Sequence, residues 1–216
     1  MTHTAELIVL NLTKIKDSAA VVHCLSGKWG RRSFIVSTGK TSPISLFLPL
    51  NIIEAEVIEN KKSELWRLRS IKAAEPLSGI RGSIARNAMT LFISEVLFRF
   101  LKEGQSDNGL YLWCRKSILC LDSLERGYAS FHLRFLVELA GILGFAPSAG
   151  ELAPFDERYG DELKILCEGT LAEALALPLT GKDRNEIAGI LLRYLSYHTE
   201  SDVCIKSLKV LRELFI

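Results

Sequence analysis

Apolar residues in the first third of the chain fall in short runs rich in Val, Ile, Leu and Phe, at 5–12, 19–25, 32–37, 46–58 and 64–73. Polar or glycine-bearing links separate them at 14–18, 26–30, 38–42 and 60–63, a pattern of five strands joined mainly by tight turns. Five short strands in about 70 residues fit a small closed barrel better than a sandwich, which usually needs about seven. The expectation is an OB-fold. Around 76–82 the period changes and apolar positions recur at helical spacing, which places a boundary near Pro76 and Gly79. The chain therefore divides into an N-terminal five-stranded barrel, residues 1–78, and an all-helical C-terminal domain, residues 79–216.

Ser83 is placed to cap a helix running to about Lys102 that is apolar nearly all round, the mark of a central, buried helix. Asp107 or Asn108 opens a second helix ending near Leu124, and Ser130 a third stopped by Gly144. Two prolines mark 145–160 as a long loop. Helices follow over 161–177, with a break expected at Gly169, over 183–196 after Pro178 and Gly181, and over 207–215. No internal repeat or low-complexity segment is present.

At 216 residues with 48% apolar residues, the chain has ample material for a packed core. Its +2 charge hides an asymmetry: residues 1–80 carry 11 basic and 7 acidic residues, residues 81–216 carry 16 and 18. Cys24, Cys114, Cys120, Cys167 and Cys204 include no C-x-x-C pair, so buried thiols in a reducing compartment are expected rather than a disulfide framework or zinc set. No signal core or run long enough to span a bilayer is seen, and a soluble cytoplasmic, nucleoid-associated protein is expected.

Enzyme signatures fail on inspection. Gly39-Lys40-Thr41 resembles the tail of a phosphate loop, but Phe34 stands where the leading glycine belongs, and Trp29 and Asp183 follow Gly27-Lys28 and Gly181-Lys182 where a hydroxyl is needed. His3, His23, His132 and His198 form no ligand-spaced pair. His23 and Cys24 are neighbours on a strand, so their side chains point to opposite faces. Glu54 and Glu56 share a strand face, which reads as a solvated outer surface. No catalytic residue, metal or cofactor is expected.

Charge on the turns is the remaining signal. Residues 12–40 hold Lys14, Lys16, Lys28, Arg31, Arg32 and Lys40 against one acid, Asp17. Cations that follow phosphates and an indole, Trp29, on which a base stacks are what single-stranded nucleic acid binding requires. Arg67 and Arg69 share a face of the fifth strand and extend the track, with Glu64 close enough to neutralise them. An RNA-binding module and a protein-binding scaffold with incidental charges are the rival readings.

The chain also resembles the bacterial RecO recombination mediators. The likeness is carried by residues 6–25 with the turn Asn11-Leu12-Thr13-Lys14-Ile15-Lys16-Asp17-Ser18, by Gly30-Arg31 and Gly39-Lys40, and by Leu91-Phe-Ile-Ser-Glu-Val-Leu-Phe-Arg99. Arg134-Phe135, Leu143-Gly144-Phe145 and the closing Lys206-Ser-Leu-Lys-Val-Leu211 continue it in the style of Bacteroidetes members. The resemblance implies an N-terminal OB-fold and a helical C-terminal domain. It also implies binding and annealing of single-stranded DNA, and action with RecR to load RecA onto DNA covered by single-strand binding protein. It further implies recognition of that protein's acidic, phenylalanine-ended tail by the helical domain, for which Phe131, Arg134 and Phe135 are the candidates, a salt bridge from Arg134 to Glu138 being the alternative. Many members carry a four-cysteine zinc site after the third helix; 145–160 here has no cysteine, so zinc is not carried over and Phe145, Phe155 and Tyr159 are expected to dock that loop on the helices.

Overall fold

A computed structural model describes residues 2–38, 44–60, 62, 63, 65–156, 158–201 and 203–214. Its first part is five strands, β1 (Thr2–Lys16), β2 (Ala19–Ser26), β3 (Gly30–Ser37), β4 (Ile52–Ile58) and β5 (Trp66–Ala73). They close as β1-β2-β3-β5-β4, antiparallel throughout except for β3 beside β5. The five-stranded barrel expected from the turn spacing is thus present. One strand is shorter than expected: of 46–58 only Ile52–Ile58 is extended, because Ile44–Phe47 winds into a 3-10 turn and Leu50 adopts a left-handed φ of 59° just after Pro49.

Two clusters of buried residues explain the apolar runs. Leu7, Val9, Val22, Cys24, Phe34, Val36, Ile53, Val57 and Leu68 fill the barrel. Their neighbours Ile8, Leu10, Leu25 and Ile52 point outward, yet they are buried as well, in one cluster with the helices. Both faces of β1 and β4 are covered here, so these stretches read as continuous rather than alternating hydrophobics.

The helices are α1 (Ser78–Arg81), α2 (Ile84–Phe100), α3 (Asn108–Ser123), α4 (Phe131–Ile142), α5 (Ala149–Leu152), α6 (Gly160–Glu168), α7 (Leu171–Ala176), α8 (Gly181–His198) and α9 (Leu208–Leu214). Ser83 and Asp107 cap α2 and α3 through their side chains, whereas Ser130 precedes α4 without a side-chain cap bond. Gly144, at φ 92°, ends α4. The break at Gly169 separates α6 from α7, and reciprocal Ser148–Glu151, Thr170–Glu173 and Thr180–Asp183 caps start α5, α7 and α8. α2 is central, with Met89, Phe92, Ile93, Val96 and Leu97 buried.

The stretch 145–160, expected as loop, contains the single turn α5. It is held as its aromatic residues suggested. Phe145 stacks on His198, Phe155 meets the edge of Tyr194, and Tyr159 donates to Asp183 and Glu186. Among the described residues no group of His, Cys, Asp and Glu is placed to hold a metal, and no helix is long and apolar enough to cross a membrane. The Gly39-Lys40 turn, Glu64 and Phe215 lie outside the described residues.

Polar clamps join barrel and helices. Glu6 on β1 accepts from Tyr111 Oη at 2.6 Å and Arg115 Nε at 2.8 Å, and Arg115 continues to Glu75 at 2.6 Å. Burial alone would raise the Glu6 pKa, but the bonds from Arg115 and Tyr111 outweigh it and hold the carboxyl below its ordinary value. Arg81 bonds Asn51, Pro49 O and Asn87, tying the turn before β4 to α2.

Candidate nucleic-acid interface

The turn between β2 and β3 is built on its glycines. Gly30 has φ 63°, and a Cβ there would lie 1.8 Å from the carbonyl oxygen of Gln105. No other residue fits. The backbone of this turn is pinned from the helical side, where Gly104 N donates to Arg31 O and Ser106 Oγ donates to Gly27 O. Trp29 N donates to Ser26 Oγ, closing the turn locally. Lys28 and Trp29 are thereby presented on a fixed scaffold.

An aromatic and cationic cluster forms around them. Lys28 Nζ lies 4.9 Å from the Trp29 ring centre. Trp29 meets Trp66 edge-on at 5.5 Å, and the Arg32 guanidinium lies 3.8 Å from the Trp66 ring centre. His3 approaches Trp29 at 6.1 Å and pairs with Glu59 at 3.3 Å. On β5, Leu68 points into the barrel and Arg67 and Arg69 point out, exposed, with no ion pair to a described residue. Neither Trp66 nor His3 was expected at the nucleic-acid site from the sequence. Trp66 reaches Trp29 only because β3 and β5 pair in parallel, Phe34 against Trp66.

Arg31, one residue before Arg32, faces the helices instead. Its guanidinium lies 5.1 Å from the Phe98 ring centre and 3.9 Å from Glu103. Beside it Ser33 Oγ donates to Glu103 and meets His23 Nδ1 at 2.9 Å. Burial holds the His23 ring below its ordinary pKa, Glu103 opposing and Arg31 reinforcing. Cys24 points into the barrel, where burial pushes its thiol far up. His23 and Cys24 therefore face apart.

The remaining cations separate in space. Lys14 and Lys16 are exposed on the tip of the β1–β2 hairpin, opposite Ala20 and Ala19. The Trp29 turn lies at the other end of β2, roughly 20–25 Å away for a strand of that length. The cations expected as one cluster are thus two groups, and Lys40 lies outside the described residues. Of the acidic pair, Glu54 is neutralised by Lys72 at 2.6 Å, and Glu56 stands opposite Arg69 in the register without an ion pair to it.

On α4, Phe131 and Phe135 are 4% and 3% exposed, so they are core residues rather than walls of an open pocket. Arg134 pairs with Glu138 at 2.8 Å, the alternative named above, and also donates to the carbonyls of Leu166 and Gly169 at the end of α6.

Comparison with known proteins agrees with this architecture. A family model described as "Recombination protein O C terminal" matches residues 81–152. Proteins named DNA repair protein RecO match almost end to end. That of Bacteroides fragilis is 29% identical over 96% of this chain and 97% of its own length. Those of Flavobacterium psychrophilum and Azobacteroides pseudotrichonymphae are 27% and 26% identical, the first over 96% of this chain and 97% of its own length, the second over all of both. The chain is thus similar to RecO proteins along nearly its whole length. The match to the family model begins at Arg81, the residue that ties the turn before β4 to α2.

Proposed function

We propose that the chain is a non-enzymatic DNA repair mediator that binds single-stranded DNA on its barrel, residues 1–78, anneals complementary strands, and acts with RecR to load RecA. The observation that carries the binding step is the cluster of Lys28, Trp29, Arg32 and Trp66 at one end of the barrel, with Arg67 and Arg69 exposed beside it. Cations and indoles together match a phosphate track with stacking faces. The RecO relatives support the repair role. RecR and the tail of single-strand binding protein enter as partners through the resemblance to RecO, with Phe131, Arg134 and Phe135 the candidate tail contact; the burial of both phenylalanines counts against that contact.

The test is a salt titration of binding to a labelled single-stranded oligonucleotide. Changing Lys28, Arg67 and Arg69 together to Ala is expected to weaken binding and annealing and to flatten log K against log salt by about 0.7 per lost phosphate contact. Undiminished binding would remove the site from the barrel end. Equal competition by an RNA strand would extend the activity to RNA.

A further inference from the structure

The turn between β2 and β3 is part of the barrel, but the helical part grips it on both sides. Arg31 pairs in parallel with Glu103, and Gly104 N donates to Arg31 O at 2.9 Å. Gly30 lies so close to Gln105 that a Cβ would stand 2.4 Å from its carbonyl carbon. Ser106 Oγ donates to Gly27 O at 2.9 Å, and a Cβ on Gly27 would lie 2.4 Å from Asn108 Oδ1. Between these two shoulders stand Lys28, exposed, and Trp29, half-buried. The gripping loop is anchored in turn, because Asp107 caps α3 by accepting from Leu110 N at 2.9 Å.

We propose that Ser106 is a positioning residue for strand binding, through which the helical part holds Lys28 and Trp29 in the geometry that the strand meets. The inference rests on the reading of the barrel as a single-stranded DNA binder. A turn free to move must be ordered by its ligand, and each side chain immobilised on binding lowers the affinity; a turn already fixed avoids that loss. Gly104 and Gln105 act on the turn through their backbones. Among the described residues, Ser106 is the side chain of the helical part that hydrogen-bonds the turn's backbone. The carbonyl it holds belongs to the planar peptide between Gly27 and Lys28, so fixing that oxygen also fixes where the Lys28 backbone starts. Ser106 is exposed, and an exposed hydrogen bond adds little to stability, so its effect falls on the turn rather than on the fold. The coupling is reciprocal: a strand that orders the turn also orders the loop.

The deciding experiment measures the affinity of Ser106→Ala and Ser106→Thr for labelled oligothymidylate, each alone and together with Lys28→Ala and Trp29→Ala. Ser106→Ala is expected to weaken binding about 3- to 5-fold, the order set by one side chain released from a fixed geometry. The salt slope should not change, and the thermal midpoint should move by no more than about 2 °C. Ser106→Thr, which keeps the hydroxyl, is expected to restore the affinity. In the background without Lys28 and Trp29, Ser106→Ala is expected to cause no further loss, since nothing is left to position. Bound oligothymidylate should also slow hydrogen exchange of the Gly104 amide in the unmodified protein. Unchanged affinity in Ser106→Ala overturns the assignment, as does exchange at Gly104 that DNA leaves unaltered. A loss that persists in full without Lys28 and Trp29 overturns it as well, because Ser106 would then touch the strand itself. So does a loss that accompanies a large fall in the thermal midpoint, because the hydroxyl would then be holding the fold. Failure of the unmodified protein to bind the strand is a different result: it overturns the DNA reading, and the positioning role with it.

Discussion

Arg31 and Arg32 are consecutive, identical in type and equally basic, yet the strand sends them to different regions of the molecule. Arg32 lies at the barrel end on Trp66; Arg31 lies at the junction with the helices, between Phe98 and Glu103. The two regions also differ in how charge is handled. At the junction opposite charges meet, Arg31 with Glu103 and Arg115 with Glu6 and Glu75. At the barrel end Arg67 and Arg69 stand exposed on the outer face of β5, with no ion pair to a described residue. A paired charge holds domains together, and a charge left in solvent beside aromatic faces is available to a phosphate. The lesson is that a cluster of cations in sequence is not one surface.

The largest expected effect breaks the link between the regions. Gly30→Ala forces a left-handed alanine against the Gln105 carbonyl oxygen, 1.8 Å from the new Cβ. The left-handed penalty and the overpacking together are expected to cost about 3 kcal/mol, read by denaturant unfolding. Unchanged stability would mean that the turn is not pinned by the helices.

Acid gives the next largest effect, and it begins in the helical part. His132 is buried against the edge of Phe92, and burial, aided by Arg184, pushes its pKa down to about 3. In the unfolded chain the ring titrates near ~6.5. Stability from the neutral ring is therefore complete above that value and is lost as pH falls from it toward 3, about 2 kcal/mol by pH 5. The Glu6 carboxyl, held low, loses its contribution only below its ordinary range of ~4.3. His132→Gln is expected to flatten the stability profile between pH 6.5 and 5; an unchanged profile would show that another group sets it.

A smaller effect isolates the junction. Glu6→Gln weakens the bonds from Arg115 and Tyr111 and is expected to cost about 1 kcal/mol, since these groups are about one-third exposed and partly screened. Affinity for single-stranded DNA at matched folded fraction should not change. A loss of affinity would mean that the junction forms part of the DNA path.

These contrasts show what was legible in the chain. Strand existence followed from runs of Val, Ile and Phe between turn residues, and the helix starts from Ser83 and Asp107, because those signals are local. The stretch 46–51 escaped, since Pro49 and the left-handed Leu50 break a run that is apolar throughout. Alternation along β3 says that Arg31 and Arg32 face apart; which of them meets the helices depends on Glu103, 72 residues after Arg31. Trp66 carried no local sign of its partnership with Trp29, because closure of the barrel by parallel pairing brings them together. The core position of Phe131 and Phe135 was likewise hidden, as helical spacing fixes a shared face and says nothing of what covers it.

The central claim is that DNA is bound at the barrel end and not at the junction, and the salt dependence of single-stranded DNA binding by two variants tests it most directly. Lys28→Ala, Arg67→Ala and Arg69→Ala combined should flatten the slope by about 2 with stability changed by no more than about 0.5 kcal/mol. Arg31→Ala should leave the slope unchanged while lowering stability by about 1 kcal/mol. A slope that falls in Arg31→Ala and holds in the triple variant would contradict the account.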